Sequence, residues 1–154
     1  MTRVNLVNVE DLADQHLFAE WRELKMIPAK LRKNPSYDSL PQQYTMSTGH
    51  VRFFYNKMHW LYMRYRALDV ELRKRNYNIS NTDAYEIFLA GFSMAYVNDN
   101  WKPSIEEKKI NIARISERLN QRPDWYRHYG EIKQPEFFIQ RYEEQLLVDA
   151  IVTP

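Results

Sequence analysis

The chain has 154 residues, a formal net charge of +2, and 44% hydrophobic, 27% charged and 14% aromatic residues. These are the proportions of one globular domain with a sizeable core, not of a disordered chain. The lack of cysteine excludes disulfides and thiolate metal sites. No run of about 18 apolar residues exists to cross a bilayer, and the first 20 residues carry four acids and no apolar signal core, so a cytoplasmic protein is expected.

In chain order, helical periodicity dominates and no strand is predicted. A first helix is expected to open at Asn8, with Ala13, Leu17, Trp21 and Leu24 as its apolar stripe and Leu31 beyond a kink at Pro28. Residues 34–48, with two Pro and many turn formers, read as a loop. After Gly49, the spacing of Val51, Phe54, Met58, Leu61, Tyr65, Leu68 and Leu72 predicts one long helix to about Arg75. Thr82 is the expected cap of a third segment that carries Tyr85, Phe88, Leu89, Phe92 and Tyr96. Ser104 with Glu107 forms a capping-box signature for a further helix, whose inner face is Ile105, Ile112, Ile115 and Leu119 and which ends before Pro123. A last amphipathic segment follows Pro135. The fold expected is all-α: a compact helical domain over residues 1–130, with a C-terminal acidic amphipathic extension over 131–154. The stripe Phe137, Phe138, Tyr142, Leu146, Leu147 on that extension packs inward or meets a partner.

Charge is uneven: residues 1–130 carry +5 and residues 131–154 carry −3. A basic body is compatible with nucleic acid, although a mixed solvated surface gives the same tally. His16, Glu20 and Glu23 fall at i, i+4 and i+7 on one polar stripe. A metal site there would need ligands from other helices, and the next helix offers only His50 and His59; a solvated face is the simpler reading, and no metal or cofactor is expected. Arg114, Arg118 and Arg122 recur every fourth residue and run into Trp125, Tyr126, Arg127, His128 and Tyr129. Arginines can hold phosphates and aromatic rings can stack on bases; the same rings could instead pack the helix end. With three glycines in the chain there is no Gly-rich phosphate loop, and neither a nucleophile elbow nor a metalloprotease His pair is present.

Four ordered blocks, MTRVNL, LADQHLFAEWREL, GHVRFFYNK and QRPDWYRHYG, resemble the phage pyrimidine-dimer DNA glycosylase family. The resemblance covers residues 1–33 and 49–79 well and 110–130 less closely; residues 131–154 stand outside it. It implies a compact all-α fold and a glycosylase with associated abasic-site lyase activity on double-stranded damaged DNA; a monomer is expected. The family's nucleophile, the α-amine exposed when the initiator Met is removed, corresponds to Thr2, and its catalytic carboxylate to Glu23. Arg3 and Arg22 match positions that hold DNA near the reaction centre. With His16, Lys25, Arg114, Arg118, Arg122, Trp125, Tyr126, Arg127 and Tyr129 they make up the expected DNA-binding surface. Met26 stands where the family carries an Arg, so a modified base other than a pyrimidine dimer, or a protein that binds distorted DNA without cutting it, is the alternative.

Overall fold

The computed structural model describes residues 4–35, 39–97 and 100–152. A 3-10 turn, Val9–Asp11, leads into α1 (Asp14–Leu24) and α2 (Met26–Lys33). There follow α3 (His50–Phe53), α4 (Met58–Lys74), α5 (Ala84–Phe88), α6 (Met94–Val97) and α7 (Ile105–Gln121). A two-residue hairpin, β1 (Arg127–His128) with β2 (Glu131–Ile132), precedes α8 (Pro135–Val152). The fold is all-α apart from this hairpin, and among the described residues no helix is long and apolar enough to cross a membrane.

The predicted stripes are the buried faces. Leu17 and Leu24 of α1 and Met58, Leu61, Leu68 and Leu72 of α4 have no exposed surface, and each such burial stabilises by about 1.5–3 kcal/mol. α1 lies on α4, and α7 on α8. Phe138 and Tyr142 of α8 are fully buried in the same core as the N-terminal half, and Phe137 and Leu146 pack beside it, whereas Leu147 stays exposed.

Several boundaries differ from expectation, each for a physical reason. The chain after Asn8 makes only the 3-10 turn, and the Asn8 side chain caps nothing; α1 proper begins at Asp14. The break assigned to Pro28 falls three residues earlier, at Lys25. In an unbroken helix the Pro28 ring would meet the carbonyl of Leu24, four residues back. By restarting at Met26 the chain places Pro28 in the first turn of α2, where no N–H is required. The long helix from Gly49 is two helices, α3 and α4. Between them the Lys57 ammonium donates to the Phe53 carbonyl at 3.1 Å, so a side chain takes up a helix-end acceptor. Gly49 opens α3 at φ +97°, with Pro41 Cγ 3.0 Å from where a Cβ would stand, so only glycine fits there. The segment after Thr82 is capped by Asp83, whose carboxylate accepts from Glu86 N–H; Thr82 instead shares a hydrogen bond with the Tyr65 hydroxyl at 2.5 Å. That segment is also split, into α5 and α6. The hairpin is the one element with no counterpart in the periodicity. Its turn residues Tyr129 and Gly130 take φ of +52° and +82°, the left-handed pair a tight hairpin needs. Tyr-Gly is not the usual sequence signal for that turn. The Ser104–Glu107 capping box is present as predicted, at 3.1 and 3.0 Å.

The segment before the 3-10 turn runs through the interior. Val4, Leu6 and Val7 are buried, as is Asn5. Its polar backbone atoms bond to side chains of several elements: Leu6 N–H to Asn111 of α7 at 2.7 Å, Asn8 N–H to Gln145 of α8 at 3.0 Å, and the Val7 carbonyl from Arg64 of α4 at 2.7 Å. Buried main-chain groups must be paired, and here side chains do what a neighbouring strand does in a sheet.

Candidate active site

A cleft of about 320 Å³ opens between the polar stripe of α1 and the basic ridge of α7. It is lined by Asn5, His16, Ala19, Glu20, Glu23, Met46, Arg114, Ile115, Arg118 and Tyr126. The i, i+4, i+7 spacing puts His16, Glu20 and Glu23 on one wall; the fourfold spacing puts Arg114 and Arg118 on the other.

The two glutamates of α1 have different fates. Glu20, expected on a solvated face, is buried. Its carboxylate accepts from Arg64 Nε at 2.7 Å, from the other arm of that guanidinium at 3.1 Å and from Asn5 at 2.8 Å. A carboxylate so committed has little left for a metal ion. No group of three or more metal-ligating side chains occurs among the described residues. The Glu23 carboxylate, one turn on, makes no hydrogen bond with a described residue, and the nearest described cation is Arg22 at 4.0 Å. Its carboxylate faces the cleft.

Arg114 and Arg118 make no hydrogen bond or ion pair with any described residue, and both line the cleft. His16 lines the same cleft. Its Nδ1 is shut from solvent without a partner among the described residues, and its ring packs on Tyr126 with 4.6 Å between centroids. Burial, and then the positive charge of Arg118, lower its pKa to about 4, so the imidazole is neutral at ordinary pH. Burial likewise raises the pKa of the Tyr126 hydroxyl.

The basic and aromatic run after α7 is fastened to the start of α1. Gln15 donates to the Trp125 carbonyl at 2.8 Å and accepts from Arg127 N–H at 3.1 Å. Asp14 accepts from the N–H groups of Tyr129 and Gly130 at 3.1 and 2.9 Å. These bonds bring the far end of α7 beside the helix that carries Glu23. Tyr126 is buried in the cleft wall; Trp125 stays exposed, with the Arg122 guanidinium 3.8 Å from its ring centre. The Tyr129 hydroxyl donates to Glu71 at 2.7 Å.

The structure thus gathers Glu23, His16, Arg114, Arg118 and Tyr126 around one cleft, with Arg22 beside Glu23. Arg122, Trp125, Arg127 and Tyr129 are not among its lining residues. Lys25 turns its ammonium over the Trp21 ring at 4.5 Å and also lines no part of the cleft. Thr2 and Arg3 lie outside the described residues. Sequence reasoning missed Asn5, Met46 and the burial of Glu20; no local pattern marks them, because the partners of Glu20 lie 15 and 44 residues away.

A family model described as pyrimidine dimer DNA glycosylase matches residues 1–85. The match spans the anchored N-terminal segment and the whole of α1, and so one wall of the cleft; the α7 wall and the hairpin lie beyond it. The match covers more than half of the chain, and the chain belongs to the pyrimidine dimer DNA glycosylase family, DNA-repair glycosylases whose substrate is DNA.

Proposed function

We propose that this glycosylase is also an abasic-site lyase, with the α-amine of Thr2, exposed by removal of Met1, as nucleophile and Glu23 as the catalytic carboxylate. The observation that carries the reading is the state of Glu23: a carboxylate with no hydrogen bond to any described residue, in a 320 Å³ cleft, opposite two guanidiniums that likewise bond to no described residue. An α-amine has an ordinary pKa of about 7.7–8.0, so a useful fraction is neutral near pH 7, whereas a Lys amine at about 10.4 needs strong desolvation to match it.

The amine attacks the sugar C1′ as the bond from C1′ to the base breaks, and the base leaves with the bonding pair. The Glu23 carboxylate stabilises the positive charge that develops on the sugar. Loss of the amine proton and opening of the ring at O4′ give an imine. Removal of a C2′ proton, assisted by Glu23, then expels the 3′ phosphate by β-elimination, and water releases the enzyme. Arg3, Arg22, Arg114 and Arg118 hold flanking phosphates as guanidinium forks. Neutral His16 adds an uncharged ring to the cleft wall. Arg122, Trp125, Arg127 and Tyr129 extend the DNA contact along the rim.

The test is borohydride trapping on duplex DNA that carries a pyrimidine dimer or an abasic site, with intact-mass measurement of the protein. A covalent adduct that maps to Thr2 and disappears when the N-terminus is blocked is expected. Tight duplex binding with no adduct would overturn the lyase mechanism.

A further inference from the structure

Val4 is the described residue nearest the N-terminus, and both polar atoms of its main chain are held. Its N–H donates to His50 Nε2 at 2.7 Å, and its carbonyl accepts from the Tyr44 hydroxyl at 2.7 Å. The other ring nitrogen of His50 lies 2.6 Å from the Thr45 carbonyl. A carbonyl only accepts, so Nδ1 carries the proton and Nε2 is left as the acceptor Val4 requires. Both side chains come from the loop and short helix that follow residue 39, far along the chain. The next residue, Asn5, donates to Glu20, accepts from Asn111 at 2.9 Å and lines the same cleft as Glu23. The grip on Val4 therefore acts at the point where the N-terminal segment enters the cleft.

We propose that His50, with its tautomer set by Thr45 and assisted by Tyr44, is a positioning residue that fixes the register of the N-terminal segment at Val4, and that the reaction of the residue-2 amine depends on that register. This rests on the reading of Thr2 as the nucleophile. The segment has no sheet to hold it, and slipping by one residue displaces its end by up to about 3.8 Å. A misplacement of about 1 Å at a reacting atom can cost about 100-fold in rate. Two side-chain bonds to the main chain of a single residue oppose such a slip, because one holds the Val4 N–H and the other its carbonyl.

The experiment uses the full chain with Met1 removed and a duplex with one abasic site, and measures the single-turnover rate of borohydride trapping, the adduct position by peptide mapping, and duplex affinity. His50→Leu is expected to lower the trapping rate about 100-fold with duplex affinity unchanged, since the arginines of the cleft are untouched. His50→Gln, whose side-chain oxygen can accept the same N–H, restores most of the rate. Tyr44→Phe, which removes one hydroxyl and keeps the packed ring, gives a smaller loss at unchanged affinity. Phe138→Leu, a core change in α8 with a comparable drop in melting temperature, traps at the wild-type rate. Wild-type trapping by both His50→Leu and Tyr44→Phe, or equal loss in Phe138→Leu, would overturn the positioning role while leaving the Thr2 nucleophile intact. A wild-type adduct on any residue other than Thr2 would overturn both.

Discussion

The arginine at the end of α4 and the arginines along α7 have the same side chain in opposite surroundings. The Arg75 side chain has no exposed surface. Its guanidinium donates to Glu71 and Asp14, each at 2.9 Å, and to the carbonyls of Leu12, Val9 and Glu10. The Tyr129 ring covers it, 4.8 Å away. One guanidinium thereby ties the 3-10 turn, α1, α4 and the hairpin together. Arg114 and Arg118 hold none of their donors to any described residue and stay at the cleft edge. The carboxylates three residues apart on α1 repeat the contrast: Glu20 is enclosed by Arg64 and Asn5, Glu23 is not. A buried charge is tolerable only when it is paired and fully hydrogen-bonded, so the satisfied members belong to the architecture. A charge left unsatisfied inside a cleft is available to a ligand, and the family's substrate, DNA, supplies phosphates and a charge-developing sugar.

The contrast can be broken from either side. The largest effect is expected from Glu23→Gln, which keeps shape and removes charge. Excision from dimer-containing duplex should fall by about 100- to 10,000-fold with duplex binding retained, as read by incision kinetics and a binding titration. Arg75→Met should leave binding groups in place but strand Asp14 and Glu71 as uncompensated buried charges. Unfolding stability should drop by about 3–5 kcal/mol, measured by urea denaturation, and the hairpin amides should lose exchange protection.

His16 gives a pH signature. Its folded pKa of about 4 lies below the ordinary 6.5, so the unfolded chain binds more protons between those values. Stability from this group is complete above about pH 6.5 and is lost as the pH falls towards 4, by about 2–3 kcal/mol. His16→Asn should remove that part of the slope in denaturation curves taken at each pH. The smallest effect is expected from Arg114→Ala. Duplex affinity should weaken about tenfold, and the slope of log affinity against log salt should shrink by about 1, with melting temperature unchanged because the Arg114 side chain bonds to none of the described residues. A loss of stability in Arg114→Ala equal to that in Arg75→Met would erase the distinction between the two sets.

How much of this was legible differs by element. The buried stripes of α1 and α4 and the capping box at Ser104 and Glu107 were readable, because periodicity and caps are local. The cleft was half readable: spacing placed His16, Glu20 and Glu23 on one wall and Arg114 and Arg118 on another. Nothing in the sequence said that the walls face each other across Tyr126. The break at Lys25 was legible as a proline effect but misplaced, because Pro28 acts on the carbonyl four residues before it. The hairpin was not legible, since Tyr129 adopts a left-handed backbone that tyrosine seldom takes; the donation of its N–H and that of Gly130 to Asp14 helps hold it there.

By itself the sequence determined the helical class, the inward faces of its helices and the residue types available for chemistry, because these follow from spacing along a helix of fixed pitch. Which of two neighbouring glutamates is enclosed and which lines the cleft without a described hydrogen-bond partner was decided only by the tertiary fold. Arg64 and Asn5 reach Glu20 and not Glu23, and charge pairing depends on distance in space, which the fold alone sets.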